Sequence, residues 1–310
     1  MFLSSSMCLI MNSWVSIWIM LELNTLSFCA FLKTFKNMKQ KVTEWGMKYF
    51  IIQSVASALL IFSSLSSKQT LLQKTFLLTS SISIMVKIAA SPFHQWFVTM
   101  TTNSSWKDGF LLMTWQKLAP IFLVLYQMKP MLFFFMISSV VSGAILQMNK
   151  KKVLEILSLS SVFNLGWMMM AMLLNSQIFF MFTSIYWISV LTMVWMLYNS
   201  NYKNINQEVS KKYPKWMTML ISINLAGIPP FPNFVTKMFI LTEALTQKLL
   251  NIMTLMLVIS SINLFIYLRM FSPLLMKKTP IKQKLNEKSI SFFTSTVILI
   301  IVMPIMIMSN

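Results

Sequence analysis

Long apolar runs follow one another along almost the whole chain, and short polar segments separate them. A helix needs about 20 apolar residues to cross a bilayer, whereas a membrane strand needs about 10 with strict apolar–polar alternation. The apolar runs of this chain are long enough for membrane helices, and they lack the strict alternation of membrane strands. Of the 310 residues, 56% are hydrophobic and 11% are charged, against about 25% charged in soluble proteins. The sequence therefore predicts an all-α, polytopic membrane helical bundle.

We place about ten candidate spans in the sequence, each near the length that a crossing needs. They cover 13–32, 47–67, 70–90, 109–127, 130–148, 153–174, 177–198, 216–240, 250–271 and 290–308. The chain before residue 13 is too short for another crossing, so it either extends the first helix or lies at the interface. Four tryptophans near predicted span ends are expected to be interface anchors: Trp45, Trp106, Trp167 and Trp216. We expect residues 1–310 to form a single transmembrane domain.

Most lysines outside the spans lie in loops that follow odd-numbered spans, as 150–152 do. Basic loops stay on the cytoplasmic or matrix side of a membrane. We therefore expect these loops on that side and both termini on the opposite side. The formal net charge of +19 then reflects topology and contact with lipid headgroups, such as those of cardiolipin. This distribution argues against a nucleic-acid partner.

Four ionisable residues interrupt the apolar spans: Glu22, Lys87, Lys117 and Lys237. A charged side chain in the middle of a bilayer costs about 2.5–3.5 kcal/mol, which favours a functional role for each. Desolvation favours the neutral form of a buried lysine, and a nearby carboxylate favours the charged form. Two structural alternatives stay open: a lysine near a span end can extend its amine to the interface, and Glu22 can accept a hydrogen bond from a backbone donor.

The segment 224–233 carries a glycine and three prolines inside a predicted span, and Lys237 follows it. Prolines lack the amide donor and interrupt the helical hydrogen bonds. A broken helix at membrane depth is a candidate ion site, because its free carbonyls and helix ends face a polar cavity. We expect Pro92 and Pro120 to break the helices near the other two lysines in the same way.

Ligands for a redox centre are scarce in this chain. His94 is the single histidine, and Cys8 and Cys29 lie in apolar segments as expected for buried thiols. These residues cannot hold a haem pair or an iron–sulfur cluster, and the sequence has no glycine-rich nucleotide loop. We therefore expect no metal or cofactor site here, and assign any redox chemistry to partners. His94 either makes a structural hydrogen bond or takes part in a proton path.

Ordered motifs around these residues resemble the NADH dehydrogenase subunit 2 family of mitochondrial respiratory complex I, in a form similar to that of arthropods. The family belongs to the antiporter-like subunits of the membrane arm. The segments that carry the resemblance are 18–24, 43–50, 87–97 (KIAASPFHQWF), 114–120 (TWQKLAP), 160–167 (SSVFNLGW), 227–230 (GIPP) with Lys237, and 267–269. Together they extend over nearly the whole chain.

The resemblance implies a helical bundle with two broken helices and a line of charges along the membrane midplane. Glu22 would pair with Lys87, Lys117 would be the central relay, and Lys237 would lie at the exit side of a second half-channel. It also implies proton translocation in the mitochondrial inner membrane, as part of a proton-translocating NADH:ubiquinone reductase. NADH, FMN, iron–sulfur clusters and ubiquinone would bind to partner subunits of complex I.

Several positions depart from the family pattern without touching these four charges. Thr102 stands in place of a usual acidic residue, and Val98 in place of a usual proline. Asn233 and Ala226 replace usual glycines in the proline-rich segment. Glu155 replaces a usual basic residue, and its spacing predicts an ion pair with Lys151.

Two other functions fit the same residues. A free-standing cation/proton antiporter would also use a broken helix and buried charges. A membrane scaffold could retain such charges without conducting protons.

Overall fold

A computed structural model describes residues 1–34, 40–66, 73–127, 129–200, 204–205, 215–229 and 231–276. Its regular elements are α1 Phe2–Ile10, α2 Trp14–Thr34, α3 Gln40–Ser66, α4 Gln73–Ile88, α5 Gln95–Asn103, α6 Trp106–Met113, α7 Trp115–Gln127, α8 Lys129–Met148, α9 Val153–Leu174, α10 Ser176–Ser200, α11 Lys215–Ala226, α12 Pro232–Thr246 and α13 Leu250–Met276. One isolated backbone bridge joins Lys152 to Asn204. The predicted all-α class is confirmed for this part of the chain.

The backbone divides into two compact units, Met1–Phe135 and Met136–Asn310, and the division lies inside α8. In the first unit α3 packs between α2 and α4, and α4 also packs on α7. In the second unit α12 packs against α9, α10, α11 and α13. The expected single domain over 1–310 stays a prediction.

Seven helical stretches of the described residues are long and apolar enough to cross a membrane: Trp14–Leu32, Glu44–Ser64, Trp106–Leu125, Met131–Met148, Val153–Leu174, Ser176–Asn199 and Leu250–Met270. A shorter apolar helix, Leu77–Ile88, coincides with a further predicted span. The predicted span 216–240 is divided between α11 and α12, and the span 290–308 lies outside the described residues. The total of about ten spans stays a prediction. Two short helices, α1 and α5, lie outside the predicted spans.

The break that we expected near Lys87 is present in the structure. α4 ends one residue after Lys87, where Ala89 adopts a left-handed conformation with φ 63°. The amide of Ala90 donates to the carbonyl of Met85 at 3.0 Å, which caps the end of the helix. Lys87 therefore lies in the last turn of α4, where the dipole of the helix favours a positive charge.

The prediction that Pro120 breaks its helix is wrong. Pro120 lies inside α7, and the interruption occurs instead at Thr114, between α6 and α7. A proline removes only one hydrogen bond of the helix, here the bond to the carbonyl of Gln116, and membrane helices tolerate this loss within a protein interior.

The break that we expected in 224–233 is present. α11 ends at Ala226, Gly227 adopts φ 80°, and α12 begins at Pro232. The amide of Asn233 donates to Asn224 Oδ1 at 3.4 Å, so a side chain of α11 bonds the start of α12. The two halves thus stay connected although the helical hydrogen bonds stop between them.

Burial differs strongly among the spans. In α9, 89% of the apolar window is buried inside the protein, whereas α2, α3 and α13 expose large apolar side chains as lipid-facing helices do. Trp106 and Trp167 are buried, so the prediction that they are interface anchors is wrong. Both sit on helices that other helices surround. Trp45 is half-buried, and the side chain of Trp216 lies outside the description.

The predicted ion pair of Glu155 with Lys151 is also wrong. Glu155 pairs instead with Lys150, whose Nζ lies 2.7 Å from Oε1. The reason is that α9 begins at Val153. Lys151 therefore precedes the helix, and the helical spacing of four residues does not apply to it.

Candidate functional site

The carboxylate of Glu22 is held by hydroxyl groups rather than by a lysine. Ser57 Oγ on α3 donates to Glu22 Oε1, and Thr25 Oγ1 lies within hydrogen-bond distance of both the Glu22 carbonyl at 2.8 Å and Glu22 Oε2 at 3.3 Å. Glu22 and Lys87 both belong to the described part of the chain, and no contact at ion-pair distance joins them. The predicted direct pair is therefore not formed in this structure.

Lys87 contacts the same helix one turn away from Ser57. Its Nζ donates to the backbone carbonyl of Gln53 at 3.3 Å. Gln53 and Ser57 are four residues apart, and a helical carbonyl points toward the amide four residues on. A single turn of α3 thus contacts both the carboxylate of Glu22 and the ammonium of Lys87.

Lys87 and Lys117 line one cavity in the first unit. The cavity holds about 20 Å³ of space for the centres of water-sized molecules, enough for one or two waters. Its remaining lining consists of Leu21, Asn24, Thr25, Tyr49, Gln53, Ile88, Trp96, Phe97, Leu112, Gln116 and Pro120. Lys87 and Lys117 are each only 4% exposed, which excludes the alternative in which their amines extend to the membrane interface.

Buried amide groups supply much of the polar lining of this cavity. Gln116 Oε1 accepts hydrogen bonds from Asn24 Nδ2 at 3.0 Å and from the Tyr49 hydroxyl at 3.3 Å. Gln116 Nε2 and Asn24 Oδ1 are buried without a hydrogen-bond partner among the described residues. Such atoms are commonly satisfied by ordered water. Polar atoms with unused hydrogen-bonding capacity therefore border the space between Lys87 and Lys117.

Lys237 lies in α12 of the second unit and is 6% exposed. A Cβ added to Gly227 would come within 3.0 Å of Lys237 Nζ, so the ammonium lies against the end of α11. The centroids of the Phe163 and Trp167 rings are 5.5 and 5.6 Å from the same nitrogen. Lys117 has a similar neighbour, because the centroid of the Phe97 ring lies 4.2 Å from its Nζ.

His94 lies at the start of α5, next to the break that follows α4. Its side chain is buried, and its Nδ1 has no hydrogen-bond partner in the part of the chain that the structure describes. Because the backbone of Pro92 lies within reach of this side chain, both roles considered for His94, the structural hydrogen bond and the proton path, stay predictions.

Sequence reasoning identified the charged residues but missed their neutral neighbours. Ser57 and Gln116 are polar residues inside predicted apolar spans. A serine or glutamine that faces inward from such a span was the signal that could have identified them. Phe163 and Trp167 have the spacing of one helix face, yet apolar spans contain many aromatic residues, so this spacing by itself indicates nothing specific. In the described residues, no group of three His, Cys, Asp or Glu side chains could hold a metal ion.

Comparison with known proteins identifies the family. The family model described as NADH:quinone oxidoreductase/Mrp antiporter, TM matches residues 11–263. NADH-ubiquinone oxidoreductase chain 2 of Anopheles gambiae is 31% identical over 280 residues, which cover 84% of this chain and 79% of the relative. The chain 2 protein of Hylobates lar is 32% identical over 277 residues, with the same coverage of 84% and 79%. The chain belongs to the NADH-ubiquinone oxidoreductase chain 2 family.

The fold agrees with this membership. A chain of respiratory complex I from Thermus thermophilus, solved with bound Aureothin, matches with a TM-score of 0.81 at 19% identity, and the match covers 97% of this chain and 75% of that one. The resemblance to the chain 2 family and the antiporter-like fold are therefore confirmed. The chain is a multi-pass membrane protein.

Proposed function

We propose that the chain is a membrane-arm subunit of the proton-pumping NADH:ubiquinone oxidoreductase of the mitochondrial inner membrane. We further propose that Glu22, Lys87, Lys117 and Lys237 carry protons through it. Membership of the chain 2 family supports the first statement. The second depends on one observation, which is that two buried lysines line a single cavity of water size. A dry or separate environment for each lysine would not allow protons to pass between them.

The first transfer would involve Glu22 and Lys87. Their charges are close enough to interact through the turn of α3 that binds both, although they form no direct pair. When Glu22 is charged, it favours the charged form of Lys87. When the carboxylate is protonated or moves away, burial favours release of the proton from Lys87. This pair of groups would therefore have two states that a small displacement can exchange.

The second transfer would use the cavity between Lys87 and Lys117. A proton released from Lys87 Nζ would pass along water bonded to Gln116 and Asn24 and reach Lys117 Nζ. From Lys117 the protonation change would pass on to Lys237, which we propose to lie at the exit side. His94, whose buried side chain lies next to the break after α4, is a further candidate for this path.

The energy for pumping would come from other subunits. Each proton moved against the membrane potential costs about 2.3 kcal/mol per 100 mV. We assign NADH, FMN, iron–sulfur clusters and ubiquinone to partner subunits, whose redox chemistry would displace Glu22 or its surroundings. The basic loops would face the matrix, and both termini the intermembrane space.

A free-standing antiporter is the competing function, because the family description also includes Mrp antiporters. Purification in mild detergent distinguishes the two. A complex subunit co-migrates with many other chains in native electrophoresis, and we expect this result. A chain that purifies alone and exchanges cations for protons in liposomes would support the antiporter instead.

The proton relay is tested by replacing Lys117 with methionine, which keeps an unbranched side chain, one atom shorter, but cannot carry a proton. We expect proton pumping by the purified complex in liposomes to fall at least about tenfold, because the cavity then has no acceptor opposite Lys87. The matched control is Lys48→Met, which changes an exposed lysine of α3. Normal assembly with unchanged pumping in Lys117→Met would contradict the relay and favour a scaffold.

A further inference from the structure

Two aromatic rings on one face of α9 contact the ammonium group of Lys237. Phe163 and Trp167 are four residues apart in a helix, so their side chains project from the same face. Their ring centroids lie 5.5 and 5.6 Å from Lys237 Nζ. Both distances are within the range of about 6 Å over which the face of a ring attracts a cation.

This contact is a buried source of favourable charge interaction for Lys237. Phe163 and Trp167 are fully buried, and Lys237 is nearly so. Among the described residues on α9, α10, α11 and α13, which pack against α12, no carboxylate lies within ion-pair distance of Lys237. The end of α11 at Gly227 adds the negative end of a helix dipole. Loss of water around the ammonium also strengthens its attraction to the rings.

The first unit offers a contrast and a parallel. Lys87 has a carboxylate nearby, because Glu22 binds the same turn of α3. Lys117 has the Phe97 ring at 4.2 Å, so an aromatic ring faces a buried lysine in this unit too.

We propose that Phe163 and Trp167 are positioning residues that stabilise the protonated form of Lys237 in place of a carboxylate counter-ion. The inference rests on the proposed function, in which Lys237 carries a proton. A ring attracts the ammonium but cannot accept its proton. The proton must then leave Lys237 for water or for another ionisable group, and no ion pair with a described residue holds it back.

The experiment measures protons pumped per NADH oxidised by the intact complex in liposomes, at equal assembly. Phe163→Leu and Trp167→Leu remove a ring and keep an apolar side chain, whereas Trp167→Phe keeps a ring. We expect both leucine variants to pump at least about fivefold less than the parent complex, and Trp167→Phe to retain at least about half of the activity. This order of pumping activities follows the strength with which each side chain attracts a cation. Tryptophan attracts it more strongly than phenylalanine, and leucine has no ring to attract it.

The matched control is Phe179→Leu. Phe179 is another fully buried phenylalanine of the second unit, and its ring packs beside Phe180, 5.2 Å between centroids. A loss of packing would affect Phe179→Leu as much as Phe163→Leu, and that result would overturn the inference. Equal losses in Trp167→Phe and Trp167→Leu would overturn it as well, and so would normal pumping in both leucine variants.

A parallel Lys237→Met variant separates this inference from the proposed function. Normal pumping in Lys237→Met would overturn the relay role of Lys237 itself. Lost pumping in Lys237→Met, with normal pumping in the ring variants, would overturn only the role of the rings. If a leucine variant does not assemble, the comparison is made with methionine at 163, 167 and 179, since methionine fills irregular space in a core.

Discussion

At the scale of single residues, Ser57 has one proton to donate and two acceptors within reach. Its Oγ lies against Glu22 Oε1 and also 2.8 Å from the carbonyl of Ser54 in its own helix. A hydroxyl donates one hydrogen bond at a time. A charged Glu22 attracts this bond, and when Glu22 is neutral or displaced the hydroxyl returns to Ser54. The orientation of Ser57 therefore depends on the charge and position of Glu22.

We predict that Ser57→Ala lowers proton pumping about tenfold. A hydrogen bond to a charged group contributes about 1.5–3 kcal/mol, and its loss leaves the buried side of Glu22 with less stabilisation of its charge. Pumping is measured in liposomes with the assembled complex. Ser54→Ala is the control, since the half-buried Ser54 donates its hydroxyl to the carbonyl of Ile51 in its own helix. Equal pumping in both variants would show that Ser57 has no such role.

At the scale of elements, two helices end inside their units with the same type of cap. α4 is followed by Ala89 with φ 63°, and α11 is followed by Gly227 with φ 80°. The left-handed conformation disfavours a residue with a Cβ by roughly 1–2 kcal/mol, yet the fold accepts alanine at residue 89. Conformation alone therefore does not require glycine at residue 227. An added Cβ would also lie 3.0 Å from Lys237 Nζ, which is tighter than ordinary van der Waals contact, so the ammonium would have to shift by a few tenths of an ångström.

We predict that Gly227→Ala both destabilises the chain and impairs pumping. The left-handed conformation costs roughly 1 kcal/mol, and the added methyl group displaces Lys237 Nζ from the end of α11. The control is Gly46→Ala in α3, where an added Cβ meets no atom within 4 Å and the change is neutral or stabilising by up to about 1 kcal/mol. Thermal unfolding of the purified complex measures the stability, and liposome assays measure pumping. Full pumping by Gly227→Ala would show that Lys237 does not depend on this contact.

At the scale of the whole molecule, helices with apolar exposed faces are long enough to cross a membrane, and we predict that the loops alternate between its two sides. The basic loop 150–152 between α8 and α9 follows an odd-numbered predicted span, and the turn 247–249 between α12 and α13 follows an even-numbered one. Most other basic loop residues lie outside the described residues, so these two connections test the predicted orientation best.

We predict that cysteines introduced at Lys151 and Gln247 react from opposite sides of the membrane. Both positions are exposed in the structure. A membrane-impermeant maleimide should label Lys151→Cys from the matrix side and Gln247→Cys from the other side, because positive loops stay in the matrix. Labelling of the unmodified chain measures the background reaction of its own cysteines, the buried Cys8 and the partly exposed Cys29. Labelling of both positions from one side would contradict the assigned spans between them.

The sequence by itself determined the class of the fold and the identity of the charged residues. Apolar runs that are long enough to span a bilayer must form helices, because the bilayer has no water to bond the backbone N–H and C=O groups that a helix pairs internally. Buried lysines are costly enough that Lys87, Lys117 and Lys237 stand out without any coordinates. The helix break before Lys237 followed from its prolines, because proline cannot donate the hydrogen bond that continues a helix.

Only the tertiary structure decided what each charge contacts. Glu22 binds Ser57 rather than Lys87, Pro120 stays within its helix while Thr114 interrupts the span, and Trp167 faces Lys237 instead of the interface. The physical reason is that spacing along the chain gives the face of one helix, whereas these contacts depend on how neighbouring helices rotate and shift against each other. That packing is set by many side chains at once, and no single motif records it.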